Sequence, residues 1–210
     1  TLMRSSAASD VYKRQVNYTK KKPAEFKLAS HSVILSDASV TRENIYTYGK
    51  SRIIQKVVLT VGSPIVEFTT EVDWRETHKM LRADFRPSVY ADEVTCDIQM
   101  GNIKRSTRTQ TKTEWAQFEI CAHKWVDVTD GDAGVSVLTT GKYGWRVKDG
   151  LLSLNLLRSA VWPDPAADKG VHTIKYALYP HAGDYNQANT QSVAYFYNNP
   201  LFLSLIHISE

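Results

Sequence analysis

Acidic and histidine side chains late in the chain are the residues whose types could support chemistry. Asp164, Asp168 and Asp184 lie in loop-like stretches, and glycoside hydrolysis uses two carboxylates about 5 to 10 Å apart across a sugar. Acidic residues in such stretches more often close turns or cap helices, and we interpret these three in that way. His172 and His181 flank a predicted strand and could bind a metal together, although we interpret them as ordinary loop histidines.

Motifs that would place a nucleophile, a phosphate or a zinc ion are missing from the sequence. There is no Gly-x-Ser-x-Gly turn, no phosphate-binding loop and no His-Glu-x-x-His run. None of the six histidines is followed two positions later by an aspartate, a local pair that several zinc sites use. The eleven tyrosines and five tryptophans could form a sugar-stacking platform, but aromatic residues on strands are more often core. We therefore predict no catalytic residue and no metal ligand in this chain.

The sequence predicts short strands separated by turns, and these strands would have to hold the residues of any functional site. The longest alternating run is residues 114–128, whose even positions from Ala116 onward are apolar except for Lys124, and it predicts a long central strand with both faces covered. Asp149 and Gly150 form the dipeptide that most strongly predicts a tight hairpin. No stretch has a long helical period with caps. The other predicted strands are residues 52–61, 64–73, 78–85, 94–100, 135–140, 145–148, 151–159, 173–179 and 192–197.

This succession of strands predicts an all-β fold, a large antiparallel β-sandwich that forms one domain over residues 16–202. Residues 1–15 and 203–210 break the pattern and resemble translated sequencing adapters. We expect both segments to be non-native flanks that pack poorly, and we expect the natural domain between them to be truncated.

Charge and cysteine content limit the partners of the chain. The formal net charge is +4, and the first 22 residues alone carry +5, so the remainder is close to neutral and we predict no nucleic-acid partner. Apolar runs such as residues 32–35 are too short to span a bilayer, so we predict no membrane partner. Cys96 and Cys121 match no metal spacing. We interpret them as buried free thiols, which favours a reducing compartment, with a disulfide as the alternative.

Six separate runs of the sequence resemble the C-terminal region of family 38 glycoside hydrolases, the α-mannosidases. The runs occur in the family's order within residues 45–200, and the similarity is greatest to the cytosolic and vacuolar branch. They are VDWRETHKMLRADF at 72–85, FEICAHKW at 118–125, KYG at 142–144, LLRS at 156–159, PDPAAD at 163–168 and YALYPH at 176–181.

The resemblance implies a galactose mutarotase-like supersandwich that follows a catalytic barrel in the full-length enzyme. The barrel would carry the zinc ligands and the nucleophilic aspartate of a retaining mechanism, so zinc would be bound outside this chain. The implied activity is hydrolysis of terminal α-linked mannose in mannose-containing oligosaccharides, with the missing barrel as a partner domain. The isolated chain is expected to be inactive. The implied location is cytoplasmic, with the vacuole or lysosome as the alternative.

One segment is implied to contact substrate. In the family, a loop of this region approaches the active site and helps to hold the sugar, and the matching residues here are 101–107. Arg105 is the predicted substrate-binding residue, because a guanidinium presents a fork of donors to hydroxyls or carboxylates. The family pattern Arg-Pro-Thr-His followed by Asn-Thr-Ser is altered, with Ser106 in place of the proline and different residues at 108–111. A solvated arginine or an interdomain salt bridge is the alternative role of Arg105, and a stand-alone carbohydrate-binding or structural β-sandwich is the alternative function of the chain.

Overall fold

Alternating apolar residues build two antiparallel sheets in the computed structural model, which describes residues 2–7, 24–117 and 119–201. Both sheets contribute side chains to one core, so they pack face to face as a sandwich. The larger sheet has nine strands, in the order β3 (Lys27–Leu35), β4 (Ser39–Tyr48), β5 (Ser51–Thr60), β6 (Val66–Trp74), β15 (Gly170–Ala182), β12 (Ala133–Thr139), β11 (Trp125–Thr129), β8 (Glu93–Ile98) and β9 (Gly101–Ser106). The smaller sheet has six, in the order β10 (Ile120–Cys121), β13 (Gly144–Lys148), β14 (Leu151–Arg158), β7 (Lys79–Phe85), β1 (Leu2–Ala7) and β2 (Ala24–Glu25).

Aromatic contacts join the two sheets at the centre of the core. Phe68 of β6 stacks on Tyr176 of β15 with ring centroids 5.1 Å apart, and Phe85 of β7 meets Phe68 edge-on at 5.7 Å. The Tyr176 hydroxyl, although buried, is bonded to the side chains of Gln55 and Thr70 at 2.8 and 3.1 Å. The all-β antiparallel sandwich that the strand pattern predicts is confirmed.

The predicted hairpin at Asp149 and Gly150 is confirmed. Lys148 and Leu151 pair at the ends of β13 and β14, and the two residues between them have φ of 55° and 68°. Positive φ at both central positions is what a type I′ turn requires, and an aspartate followed by glycine meets that requirement.

The long central strand predicted for residues 114–128 is wrong. A capping box interrupts it, since the Thr111 side chain accepts the Glu114 backbone N–H and the Glu114 side chain accepts the Thr111 backbone N–H. The box starts a short helix, α1 (Lys112–Ala116). The chain then contributes β10 to the smaller sheet and β11 to the larger one, so the apolar alternation spans two strands in different sheets.

The strand predicted for residues 192–197 is also wrong, because these residues belong to the helix α2 (Thr190–Asn198). Thr190, Val193, Ala194 and Tyr197 follow the i, i+3, i+4, i+7 spacing of a helix with one buried face. That face covers a second apolar cluster on the outer face of the larger sheet, centred on Trp125. Neither of the two described helices has the length and apolar character needed to cross a membrane.

The prediction that residues 1–15 pack poorly is wrong for Leu2–Ala7. This segment forms β1, whose backbone pairs with β7 from Leu2 opposite Asp84 to Ala7 opposite Lys79, and with β2 on its other side. Residue 1 and residues 8–15 and 203–210, which carry the rest of the prediction, lie outside the described residues. The non-native origin of the two flanks stays a prediction.

The strands β3 and β4 were not predicted, and β3 is exposed at all nine of its positions. It is one of the two edge strands of the larger sheet in the described part of the chain, and it carries Val33, Ile34 and Leu35 at 57%, 60% and 75% exposure. An exposed apolar edge strand presents unpaired backbone groups to other chains.

The isolated chain is therefore expected to self-associate through β3. Static light scattering over a range of protein concentrations should show a mass that rises with concentration, and Ile34→Lys should suppress that rise because a charge on an edge strand opposes pairing. Leu59→Lys is the matched control, since Leu59 is 52% exposed but lies on β5 and is paired with Val40 of β4 on one side and Val66 of β6 on the other. A monomer at every concentration would contradict the prediction, as would equal effects of the two variants.

Candidate functional site around Arg105

The predicted substrate-binding residue Arg105 lies on β9, an edge strand in the part of the chain that is described. Arg105 is opposite Val94 of β8, and Ile103 is opposite Cys96. Directly opposite residues of an antiparallel pair share a face of the sheet, and Val94 and Cys96 are buried in the core between the sheets. The Arg105 side chain therefore lies on the inner face of the larger sheet, at the edge of the sandwich.

The half-buried guanidinium of Arg105 acts on its surroundings through charge. Its Nε atom is shielded from solvent and has no hydrogen-bond partner within the described residues. Burial raises the pKa of the neighbouring Cys96 thiol to about 12, and the positive charge of Arg105 opposes only part of that shift. Cys96 is therefore a neutral thiol near pH 7 and not a nucleophile. The prediction of free thiols is confirmed for both cysteines, although Cys121 is exposed, not buried.

A lysine of the smaller sheet holds the chain that follows Arg105. Lys148 of β13 is buried, and its Nζ donates to the backbone oxygens of Ser106 and Arg108 at 3.1 and 2.6 Å. Burial lowers the pKa of Lys148, while the Glu114 carboxylate acts in the opposite sense. Two charge-assisted bonds to main-chain oxygens fix the path of this segment, whatever side chains it carries.

Glu114 fixes the far end of the same segment. Its Oε2 accepts the backbone N–H groups of Gln110 and Thr111 at 3.0 and 2.9 Å, and its Oε1 accepts the Ser106 hydroxyl at 3.1 Å. These bonds lower the pKa of Glu114, with the backbone bond from Thr111 contributing most. The proline of the family pattern could not form the bond that Ser106 donates to Glu114. The altered segment is therefore stabilised by a side-chain hydrogen bond that the family pattern lacks.

A cleft of about 470 Å³ lies between this segment and the β13–β14 hairpin. Arg108 and Asp92 form an ion pair at its side, and Tyr90 lines it next to the hairpin turn. Arg105 does not line the cleft. The residues that form the cleft come from four separate parts of the chain, which is why no sequence motif marks it.

Sequence reasoning also missed a buried polar cluster on the outer face of the larger sheet, under α2. Asp127 of β11 accepts three bonds, from His181 Nε2 at 2.7 Å, from the Ser136 hydroxyl at 2.6 Å and from the Thr129 hydroxyl at 2.6 Å. The Ser136 hydroxyl is also 3.0 Å from that of Thr190, the first residue of α2. The cluster therefore connects the helix to three strands of the sheet.

The cluster contains the residue types of a serine hydrolase but not their arrangement. In a serine hydrolase one ring nitrogen of the histidine accepts from the serine and the other donates to the aspartate. Here the same nitrogen, His181 Nε2, lies 2.7 Å from Asp127 and 3.3 Å from the Ser136 hydroxyl, and that hydroxyl donates to the Asp127 carboxylate at 2.6 Å. Ser136 and Asp127 are also 0% and 1% exposed. The role of the cluster is structural. Gly134 was the available sequence signal, because a Cβ there would lie 2.2 Å from Cε1 of His181, so a strand glycine marks the space that the imidazole needs.

Two of the three loop acids act in turns, as predicted, and Asp168 instead contacts a distant part of the backbone. Asp164 and Asp184 accept backbone N–H bonds from residues two or three positions later, at 2.8 to 3.0 Å. Asp168 accepts the backbone N–H of Arg158 at 2.7 Å.

No metal site is formed by the described residues, in which no three His, Cys, Asp or Glu side chains form a group that could hold an ion. His172 and His181 are both on β15 and are separated by an odd number of positions, so they face opposite sides of the sheet. The described residues do not fit a zinc site, and zinc is assigned to none of them.

Comparison with known proteins connects this sandwich to one enzyme family. The sequence profile described as glycosyl hydrolases family 38 C-terminal domain matches residues 3–166, a range that includes part of the segment expected to be a non-native flank. The chain is 44% identical over 151 residues to alpha-mannosidase 2C1 of Homo sapiens and 43% identical over 151 residues to alpha-mannosidase 2C1 of Mus musculus. Each alignment covers 72% of this chain but 14% of the relative, so the chain spans a small part of the length of these proteins.

A solved structure has the same fold. The alpha-mannosidase from Enterococcus faecalis V583 superposes with a TM-score of 0.81 over 95% of this chain and 27% of that chain, at 15% sequence identity. At this identity the likeness supports the all-β sandwich fold and nothing finer.

Proposed function

Because this chain belongs to the glycosyl hydrolase family 38 C-terminal domain family, we propose that it is the non-catalytic domain of an α-mannosidase that hydrolyses terminal α-linked mannose. The observation that carries the proposal is the 44% identity over 151 residues to an alpha-mannosidase. The substrate would be a mannose-containing oligosaccharide bound mainly by a catalytic barrel of the same protein. The proposed location is the cytoplasm, with the vacuole or lysosome as the alternative, and the reaction would be retaining and zinc-dependent.

The proposed role of the sandwich is to support and line the active site of the barrel. Arg105 would donate hydrogen bonds from its guanidinium to sugar hydroxyls, which suits a residue on an edge strand whose Nε has no partner within the described residues. Lys148 and Glu114 would keep the segment after Arg105 in place, because both bind its backbone. No residue of the sandwich would act as nucleophile or general acid.

The activity assay compares this chain with the intact protein. The purified 210-residue chain is expected to hydrolyse no aryl α-mannoside, with or without added zinc, because no metal cluster or nucleophile can be assigned among the described residues. The product of the intact gene is expected to hydrolyse it and to lose activity when a chelator removes zinc. Zinc-dependent turnover by the isolated chain, abolished by changing one of its own acidic residues, would contradict the proposal that the catalytic residues lie outside the sandwich. An intact gene without an upstream barrel would instead favour a stand-alone carbohydrate-binding or structural sandwich.

A further inference from the structure

A second cleft, of about 330 Å³, lies on the outer face of the larger sheet beside α2. It is on the opposite face from the Arg105 side chain, because Trp125 belongs to the outer apolar cluster whereas Val94, opposite Arg105, belongs to the core. Residues 185–196, which form one wall, lie beyond the part of the chain that matches the family profile. The cleft is therefore separate from the site proposed above.

Aromatic rings form the floor and rim of this cleft. Trp125 and Tyr185 stack with centroids 5.4 Å apart and an interplanar angle of 26°. Asn102 of β9 donates to the Tyr185 hydroxyl at 3.3 Å, which orients that ring. Tyr195 and Phe196 of α2 line the rim at 53% and 62% exposure. Such rings offer flat apolar faces to a ligand that has an apolar face of its own.

Polar groups that can still form hydrogen bonds are arranged around the rings. The indole N–H of Trp125 is buried and has no acceptor within the described residues, although Trp125 is only 1% exposed. Buried donors in proteins are nearly always paired, so this one needs an acceptor that the cleft can admit. Asn189 has a left-handed backbone with φ of 52°, and its exposed side chain does not cap α2. Asp97 accepts the Lys124 backbone N–H through Oδ2 at 2.9 Å, which leaves Oδ1 to accept from a ligand.

The charges in the cleft favour a neutral ligand. Asp97 and Lys124 are its two charged residues, and they carry opposite charges. The Lys124 ammonium group lies 5.9 Å from the centre of the Tyr195 ring and forms a cation–π contact with it. A phosphate or a carboxylate would meet Asp97, whereas a neutral polyol could accept from Trp125 and donate to Asp97 and Asn189.

We propose that this cleft is a binding site for one neutral hexopyranose unit of a glycan. A hexopyranose has one face of C–H groups that can lie on an aromatic ring, and hydroxyls around its edge that both donate and accept hydrogen bonds. The cleft provides stacked rings, an unpaired buried donor, a carboxylate and an amide within one small volume. The inference does not rest on the proposed hydrolase function, because it uses none of the residues assigned to that function.

Saturation-transfer difference NMR on the 210-residue chain with methyl α-D-mannopyranoside and methyl β-D-galactopyranoside tests the site. We expect saturation transfer to the ring protons of at least one of the two glycosides. Asn189→Gly removes the amide and retains the left-handed backbone, and it should raise the Kd by about 2- to 12-fold, as expected for one lost hydrogen bond. Trp125→Phe should weaken binding in the same range because it removes the N–H and retains a ring. Asn199→Ala, at the other end of α2 and outside the cleft, should leave the Kd unchanged.

Two results would contradict the proposal that this cleft binds a sugar. One is the absence of saturation transfer to either glycoside from the folded chain, with folding verified by circular dichroism. The other is equal binding by Asn189→Gly and the unmodified chain, which would place the sugar elsewhere. Neither result bears on the hydrolase proposal, which is tested by the activity of the intact protein.

Discussion

Replacing Asp127 by alanine is expected to lower the free energy of unfolding by about 3 to 5 kcal/mol, because each buried donor that loses its acceptor costs about 1 to 3 kcal/mol. The substitution leaves His181 Nε2 and the hydroxyls of Ser136 and Thr129 without their shared acceptor. The His181 side chain and Ser136 are 3% and 0% exposed, so each loses a buried partner. Ser136 keeps only its contacts with Thr190 at 3.0 Å and His181 at 3.3 Å. The connection from the sheet to Thr190 at the start of α2 would be weakened as well.

Denaturant unfolding followed by circular dichroism gives the free energy directly, and the melting temperature should fall by about 6 to 20 °C for a domain of this size. Asp37→Ala is the matched control, because Asp37 is exposed in the turn between β3 and β4, and its effect should stay within about 0.5 kcal/mol. Equal stability of the two variants would mean that the cluster does not hold the helix to the sheet.

Arg105→Ala in the full-length enzyme is expected to lower kcat/KM by about 10- to 150-fold while the melting temperature stays nearly unchanged. A charge-assisted hydrogen bond to a bound group contributes roughly 1.5 to 3 kcal/mol, and each 1.4 kcal/mol is about a factor of ten in rate. Stability should not change much, because Arg105 lies on an edge strand and its Nε bonds to none of the described residues. Initial-rate kinetics on an aryl α-mannoside, together with thermal melting, measure both quantities.

Lys104→Ala is the matched control for this prediction. Lys104 is the preceding residue of β9, faces the other side of the sheet and pairs with Glu93 at 3.7 Å on the surface. Its removal should change neither quantity. If Arg105→Ala lowered stability and activity together, the result would indicate that Arg105 forms an interdomain salt bridge and does not contact the sugar. If it changed neither, Arg105 would be a solvated residue.

Strand positions could be predicted where one local signal determines them. The β13–β14 hairpin follows from an aspartate and a glycine at positions that need positive φ. The run at residues 114–128 had the same period of two, but the capping box at Thr111 and Glu114 and the change of sheet between β10 and β11 overrode it. The helix α2 was missed because its buried face is short and its aromatic residues also suit a strand.

The candidate site could be predicted only in part. The position of Arg105 came from the family resemblance, and the sequence carried no sign of the residues that hold its segment. Lys148 reaches Ser106 and Arg108 from the other sheet, over more than 40 positions for Ser106. The Asp127 and His181 pair likewise depends on strands that are far apart in sequence and adjacent in space. Contacts of this kind follow from topology, which periodicity alone does not specify.

The place of β15 determines when during synthesis the domain can fold. Residues 170–178 pair with 66–74 of β6 on one side, and residues 176–182 pair with 133–139 of β12 on the other. Until β15 leaves the ribosome, β3 to β6 and the group of β8, β9, β11 and β12 are two separate half-sheets with open inner edges. Contacts between residues this far apart form slowly, and unpaired edges expose nascent chains to aggregation. Translation must therefore pass β15 before the two halves can close into one sheet, and chaperones that shield strand edges would act in that interval.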